Sequence, residues 1–222
     1  MHLIYQPDGN RRYAKNKGIL LREAYELSLD KIISLIGWFF DYEESTELSI
    51  HALDRYNLQR PSTELDPLLR TIQSGIQRIC DSEVVRNKGI TVRTIGRLSD
   101  IFQSETGKGD SKVIEQLEQQ MPNRRLNLLV SYDSDEELQN ALKRCEIDRV
   151  PITFENISER WPISPASAIL RTSQLPNSTR TSAYFPGMEK ARLISTQTHP
   201  QELTKEEFDR IMSLYSTLKT TK

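Results

Sequence analysis

Short apolar runs alternate along this chain with longer segments whose apolar residues recur at three- and four-residue spacings. The short runs predict strands and the longer segments predict amphipathic helices. Strands are predicted at residues 3–5, 47–53, 89–95, 125–130 and 167–170, the last of these being the final strand that the pattern supports. Helices are predicted at residues 21–40, 63–87, 112–121, 133–145 and 202–218. Strands that alternate with helices predict an α/β fold with a mainly parallel sheet flanked by helices on both faces.

The helix predicted at residues 21–40 carries one broad apolar face, which packs on a sheet or lines a cavity. The residues that we assign to this face are Leu27, Ile32, Leu35, Ile36 and Phe39.

Size and charge narrow the class of protein. A chain of 222 residues with 36% hydrophobic residues can bury one core, so we predict a single domain over residues 1–222. The net charge of −1 disfavours a nucleic-acid partner.

The cysteines and the apolar runs bear on the cellular compartment. Cys80 and Cys145 lie far apart, without the spacing of a metal site or a disulfide framework, which is typical of ordinary thiols in a reducing compartment. The chain has no run of transmembrane length, and it begins with a strand pattern instead of a secretory signal. We therefore expect a cytoplasmic protein without a transmembrane segment.

The motif with the clearest chemistry follows the first predicted strand. Asp8, Gly9, Asn10, Arg11 and Arg12 would place one carboxylate, a flexible turn and two guanidiniums at the carboxyl end of that strand, where open α/β folds bind ligands. One carboxylate among cations suits a magnesium-diphosphate group. A plain turn with solvated arginines is the alternative, and this stretch alone leaves it open.

Other arginines follow later strands. Asn57 and Arg60 lie in the loop after the second strand, Arg171 ends the strand at 167–170, and Arg180 and Ser182 follow it. Guanidinium forks and a hydroxyl suit phosphate oxygens. Helices rich in leucine and isoleucine lie between these segments and would wall an apolar cavity, so a ligand with a polar head and an apolar tail fits the pattern. Each arginine taken alone is more typical of a solvated surface charge, an interpretation that weakens when several fall at strand ends.

Four acidic residues at one helix start have two interpretations. Asp133, Asp135, Glu136 and Glu137 open the helix predicted at 133–145. They suit a cation site, but an acidic first turn is explained by the helix dipole alone. We favour the dipole interpretation.

These motifs resemble those of the cis-prenyltransferases, the undecaprenyl diphosphate synthase family. The opening residues that carry the resemblance are Asp8, Gly9, Asn10, Arg12, Tyr13, Ala14 and Gly18. The Asn57 and Arg60 loop, residues 169–173 and the pair Arg180 and Ser182 follow in the family's order.

The resemblance implies a homodimer whose subunits each contain a six-stranded, mainly parallel sheet, with an apolar tunnel between sheet and helices. It also implies condensation of an allylic diphosphate with a second prenyl diphosphate. By motif position, Asp8 would hold magnesium on the allylic diphosphate, and Gly9, Asn10, Arg12 and Arg60 would line that site. Arg171, Arg180 and Ser182 would hold the diphosphate of the acceptor.

The chain departs from the elongating members of the family at several positions. Their glutamate and tryptophan before Arg60 are missing, and so are their terminal Arg-x-Gly segment and their second metal-binding glutamate, whose place falls near Arg192. Tyr25 replaces a histidine, Leu21 an arginine and Arg11 a glycine. These departures therefore count against a normal isopentenyl acceptor site.

Several departures are similar to one branch, the lavandulyl and cyclolavandulyl diphosphate synthases, which join two dimethylallyl-type units head to middle. The shared pattern comprises Asp-Gly-x-Arg-Arg-aromatic, the tyrosine at 25, residues 30–32 and 37–38, and the segment from Arg180 to Met188. Bulky Leu29, Trp38, Phe39 and Phe40 are compatible with a short product, although simple core packing is the more usual explanation for such residues.

The resulting hypothesis is a magnesium-dependent prenyltransferase that ionises dimethylallyl diphosphate at Asp8 and forms a lavandulyl-type diphosphate of ten or fifteen carbons. Arg11, Arg12 and Arg60 would stabilise the departing diphosphate, which then acts as the base, oriented by Asn57. Tyr25 would contact the substrate. Two alternatives remain: a regular short- or medium-chain Z-prenyl diphosphate synthase that uses isopentenyl diphosphate, and a catalytically silent subunit that binds an active prenyltransferase.

Overall fold

The chain folds around a six-stranded parallel sheet. The structure is a computed structural model that describes residues 1–101, 123–173 and 187–219. The strands are β1 (His2–Gln6), β2 (Glu47–His51), β3 (Thr91–Ile95), β4 (Arg125–Leu129), β5 (Ala168–Arg171) and β6 (Arg192–Ser195). Their order across the sheet is β3-β4-β2-β1-β5-β6, and every neighbouring pair is parallel. The predicted α/β fold is confirmed.

Strand β6 was not predicted, because the apolar pattern of the sequence ends with β5. Residues Arg192–Ser195 pair with β5 in parallel, with Ala168 opposite Arg192. Among the described strands β6 is the outermost and pairs with β5 alone, and its Leu193 side chain is exposed. A short edge strand needs no continuous apolar run, so the sequence shows little sign of it.

The helices cover both faces of the sheet. They are α1 (Asn10–Lys17), α2 (Leu21–Phe39), α3 (Ser62–Cys80), α4 (Glu83–Asn87), α5 (Ser134–Ile147), α6 (Phe154–Glu159) and α7 (Lys205–Lys219). Short 3-10 helices occur at Arg55–Gln59, Leu98–Asp100 and Pro200–Glu202. The helix predicted at 112–121 lies outside the described residues.

The single helix predicted at 63–87 is wrong, because the structure divides it into α3 and α4. Ser82 lies between them in an extended conformation, and its hydroxyl accepts a hydrogen bond from the Val85 amide at 3.4 Å. A serine cap starts a new helix at this point.

Alternate residues of the strands pack into two cores. Leu3 and Tyr5 of β1 belong to the larger core, with α2, α3 and α7. Ile4 belongs to the smaller core on the opposite face, with α5 and Trp161. This alternation follows from the pleat of a strand, and it makes α2 and α3 the wall above one face of the sheet.

The predicted apolar face of α2 is correct except at Leu27. That side chain is 44% exposed, whereas Leu35, Ile36 and Phe39 are buried. Leu27 precedes Ile32 by five positions, a spacing that turns it away from the face formed by three- and four-residue steps.

The acidic start of α5 caps that helix, as the dipole interpretation predicts. The Asp133 carboxylate accepts hydrogen bonds from the amides of Asp135 and Glu136, at 3.0 and 3.4 Å, and from Arg55 at 2.6 Å. Within the described ranges, no group of three or more His, Cys, Asp or Glu side chains is arranged to hold a metal ion.

Both cysteines are free and buried, as expected for ordinary thiols. Burial raises the pKa of the Cys80 thiol to about 11, which keeps it protonated at neutral pH. Among the helices that the structure describes, none is both long and apolar enough to cross a membrane.

Candidate active site

The carboxyl ends of β1, β2 and β5 meet around one polar cavity. Its volume is about 680 Å³. Its walls include Asp8, Gly9, Asn10, Arg11, Arg12, Tyr25, Asn57, Arg60 and Arg171. The structure therefore brings together every predicted site residue that it describes. Arg180 and Ser182 lie outside the described residues, so their predicted role stays a prediction.

A tight turn places Asp8 at the cavity. The Asp8 amide donates a hydrogen bond to the Gln6 carbonyl at 2.9 Å, and Gly9 then caps α1 with a φ of 104°. A Cβ atom on Gly9 would lie 2.2 Å from the Ser173 hydroxyl oxygen. Glycine is required here by both the backbone and the close approach of Ser173. The start of α1 at the cavity wall favours an anion.

Asp8 lies between two arginines. Its Oδ2 accepts a hydrogen bond from Arg171 at 2.7 Å and lies 3.7 Å from the Arg12 guanidinium. The Asp8 side chain remains 42% exposed, whereas Arg171 is largely buried. Two cations beside one accessible carboxylate leave a local excess of positive charge.

A second pair of arginines, Arg60 and Arg11, lines the same cavity. Arg60 donates to Asn57 Oδ1 at 2.6 Å, and Arg11 pairs with Glu64 at 3.0 Å. The buried Tyr25 lies beside them. Burial raises the pKa of its hydroxyl and outweighs the opposing charges of Arg60 and Arg11, so the hydroxyl stays protonated and can donate.

His51 is a cavity residue that sequence reasoning missed. Its Nδ1 lies 3.4 Å from Gln6 Nε2, and its Nε2 lies 3.9 Å from Asp54 Oδ2. Burial, with a smaller effect from the charge of Arg171, lowers the pKa of His51 to about 4, so the ring is neutral at neutral pH. Because His51 ends β2, the same strand-end rule that selected Asp8 would have found it.

An apolar pocket adjoins the polar cavity beneath α2 and α3. Leu29 and Ile76 line it, and Asn10, Tyr25 and Leu68 belong to the walls of both cavities. Its volume is about 80 Å³, and the longer apolar tunnel implied by the resemblance stays a prediction.

The bulky residues predicted to shorten the product divide into two sets. Leu29 lines the apolar pocket. Phe39 and Phe40 are fully buried and pack on each other, and Trp38 packs on Phe208. Core packing is the interpretation that the contacts of these three aromatic side chains support.

One departure from the family pattern has a clear location. Arg192, near which the second metal-binding glutamate was expected, begins β6 and places its guanidinium 5.8 Å from the ring centroid of Tyr215. That contact favours a packing role for this side chain.

Comparison with known proteins identifies relatives of the whole chain. The prenyltransferase family described as undecaprenyl diphosphate synthase matches residues 7–221. The tritrans,polycis-undecaprenyl-diphosphate synthase (geranylgeranyl-diphosphate specific) of Pyrobaculum aerophilum is 30% identical over 146 residues, which cover 64% of this chain and 59% of that protein. An isoprenyl transferase of Campylobacter jejuni is 25% identical over 213 residues, covering 95% of this chain and 92% of the relative. The chain spans only 59%, 56% and 51% of the length of three synthases of the first kind.

Two solved structures share the fold. A probable undecaprenyl diphosphate synthase from Campylobacter jejuni superposes with a TM-score of 0.75 at 21% identity, covering 97% of this chain and 94% of that one. Lavandulyl diphosphate synthase from Lavandula x intermedia, solved in complex with dimethylallyl diphosphate, gives a TM-score of 0.76 at 17% identity, covering 96% and 94%. The family match over residues 7–221 shows that the chain belongs to the undecaprenyl diphosphate synthase family of prenyltransferases.

Proposed function

We propose that this protein is a prenyltransferase that joins two short prenyl diphosphates, with dimethylallyl diphosphate as the donor. The observation that carries the proposal is the position of Asp8. Its half-exposed carboxylate is held by Arg171 and Arg12 in a cationic cavity that shares walls with an apolar pocket. A diphosphate with a short apolar tail matches both cavities.

The residues around Asp8 fit a magnesium-diphosphate group. Magnesium in proteins takes one or two carboxylates and completes its octahedral shell with phosphate oxygens and water. Asp8 supplies one exposed carboxylate, and the neighbouring arginines suit phosphate oxygens. Bound there, magnesium would neutralise charge on the diphosphate of the donor.

The donor diphosphate would lie among Arg11, Arg12 and Arg60. These guanidiniums and the start of α1 stabilise the negative charge that develops on the leaving oxygens as the carbon–oxygen bond breaks. Asn57 holds Arg60 by its hydrogen bond of 2.6 Å. The dimethylallyl tail would extend into the pocket lined by Leu29 and Ile76.

The acceptor would be a second unit whose diphosphate binds Arg171, together with Arg180 and Ser182. Its double bond attacks the allylic cation, a carbon–carbon bond forms, and the resulting cation loses one proton. We assign that proton to the released diphosphate, oriented by Asn57 and the Arg60 that it holds.

Head-to-middle coupling, giving a lavandulyl-type diphosphate of ten or fifteen carbons, is the form that we favour. Two features of the sequence support this form. Arg11, Tyr25 and the segment from Arg180 to Met188 follow the pattern of the lavandulyl branch, and the glutamate of the isopentenyl site is missing. A regular Z-prenyl diphosphate synthase is the second candidate. The similarity to an isoprenyl transferase over 95% of the chain favours it.

In either case we expect a homodimer, which light scattering would test.

Substrate panels separate these functions. The protein is incubated with magnesium and dimethylallyl diphosphate, alone and together with isopentenyl diphosphate, and the dephosphorylated alcohols are identified by mass spectrometry. We expect an irregular alcohol from dimethylallyl diphosphate alone. Products that require isopentenyl diphosphate would instead establish the regular synthase. Absence of diphosphate release from every allylic substrate would establish the silent subunit.

A further inference from the structure

A short segment that follows β6 returns to the opening turn. We call residues 199–202, which include the 3-10 helix Pro200–Glu202, the return segment. Within it, Gln201 Nε2 donates to Asn10 Oδ1 at 2.6 Å and to the Ala24 carbonyl at 2.8 Å. One amide group therefore joins the first turn of α1 to the first turn of α2.

These hydrogen bonds continue to the residue before Asp8. Asn10 Nδ2 donates to the Pro7 carbonyl at 3.1 Å, so the Asn10 amide is held at both ends. Ala24, the other partner of Gln201, directly precedes Tyr25 of the cavity wall. Gln201 thus links two walls of the cavity without lining the cavity itself.

Neighbours of Gln201 fix the same turn from a second side. His199 Nδ1 lies 2.8 Å from the Ser173 hydroxyl, the group that closely approaches Gly9. The His199 ring packs edge-on against Tyr13 of α1 at a centroid distance of 5.6 Å. Glu202 pairs with Lys17 at 2.8 Å, at the opposite end of α1.

These contacts matter because the start of α1 has few stabilising interactions of its own. It is only eight residues long, and its cap, Gly9, has no side chain to hold the first amides. Glycine also allows this backbone position several conformations, so neighbouring contacts must select the one observed, with a φ of 104°. Small displacements of binding groups reduce affinity and rate, so a residue that fixes this turn controls ligand binding from outside the cavity.

We propose that Gln201 is a positioning residue, which holds the turn from Pro7 to Asn10 in the conformation that binds the donor diphosphate. The inference rests on the proposed function, since it takes this turn as the diphosphate site. Gln201 is anchored by the Ala24 carbonyl, acts on the turn through Asn10, and contacts no substrate.

The first test replaces Gln201 by methionine. Gln201→Met keeps the side-chain length and removes both donated hydrogen bonds. It also removes the buried Oε1 atom, which has no hydrogen-bond partner among the described residues, so the variant should fold. Gln197→Met, at an exposed glutamine just before the return segment, is the matched control.

The readout is the affinity for inorganic diphosphate in the presence of magnesium, measured by calorimetry on the full chain. We expect Gln201→Met to bind about tenfold more weakly and Gln197→Met to bind like the wild type. Gln201→Glu, which is polar and cannot donate to Asn10, is the second variant and should weaken binding in the same direction. Thermal unfolding of each variant verifies that the fold is retained.

A double-mutant cycle tests whether Gln201 acts through Asn10. In an Asn10→Ala background, Gln201→Met should change the diphosphate affinity by less than about twofold, because the shared hydrogen bond is already lost. Wild-type affinity in both folded Gln201 variants, or a full additional loss in the Asn10→Ala background, would overturn the inference and leave the proposed function intact. A wild-type protein that does not bind diphosphate would overturn both.

Discussion

Two acidic residues among cations lie at opposite ends of the same sheet, and their surroundings differ. Asp8, at the carboxyl end, pairs with Arg171 and Arg12, and its side chain is 42% exposed. Glu47, at the amino end of β2, pairs with Arg125 at 2.8 Å, and its side chain is 1% exposed. Similar charged groups therefore form an open cavity at one end and a closed network at the other.

Hydrogen bonds complete the closed network. Glu47 Oε1 accepts from Asn127 at 2.7 Å and from the Ser164 amide at 3.3 Å, and Oε2 accepts from Arg125. His2 bonds to Ser49, which also accepts from Asn127. Burial acts to raise the pKa of Glu47, but His2 and these hydrogen bonds outweigh it and lower that pKa.

The comparison teaches that a cluster of charges indicates a binding site only where it keeps room for a ligand. Each oxygen of Glu47 has protein partners, so the network at the amino end contributes to stability. Asp8 faces a cavity of about 680 Å³ and keeps an exposed carboxylate. Its charges are available to a ligand.

Removing Glu47 should have the largest effect on stability. Glu47→Ala leaves Asn127 and the Ser164 amide without their acceptor and Arg125 without its carboxylate, so we expect the free energy of unfolding to fall by about 4 kcal/mol. Urea denaturation measures it, with the exposed Glu43→Ala as control. A loss equal to that of the control would show that the network contributes nothing.

Acid should destabilise both ends of the sheet through their histidines. Burial lowers the pKa of His51 to about 4 and also lowers that of His2. As the pH falls below the ordinary histidine pKa of 6.5, the unfolded chain binds protons that the folded chain does not, so stability is lost. For His51 the loss approaches roughly 3 kcal/mol near pH 4.

Denaturation curves at several pH values measure this dependence. His51→Asn should make the slope of stability against pH shallower between pH 6.5 and about 4. An unchanged slope in that variant would exclude a buried neutral His51.

The smallest expected difference in stability is between alanine substitutions of the two glycines at the ends of α1. Both have positive φ, 104° at Gly9 and 65° at Gly18, but a Cβ on Gly18 would meet no atom within 4 Å. Gly9→Ala should therefore destabilise by about 2 kcal/mol more than Gly18→Ala, because it adds the clash with Ser173 to the backbone strain. Thermal unfolding compares the two, and equal losses would contradict the crowding at Gly9.

The sequence predicted the open site better than the closed network. Asp8, Arg60 and Arg171 each follow or end a strand, and parallel strands bring such residues to one edge. Glu47 and Asn127 are 80 residues apart, and nothing in either local pattern shows that they bond.

Two predictions of elements failed for local reasons. Strand β6 lies at an edge, where burial imposes no apolar pattern, and the break between α3 and α4 depends on the cap at Ser82. Gln201 was missed because its role is a contact with Asn10, 191 residues away, and not a motif.

The measurement that tests the account most directly is magnesium-dependent release of diphosphate from dimethylallyl diphosphate by the wild type, Asp8→Ala and Glu47→Ala. Rates are compared per folded molecule. We predict that Asp8→Ala is about a thousandfold slower, because it would lose the magnesium that neutralises charge on the leaving diphosphate. Glu47→Ala should keep the wild-type rate despite its lower stability. Release by Asp8→Ala at the wild-type rate would contradict the central claim that the cavity at the carboxyl ends of the strands is the site of reaction.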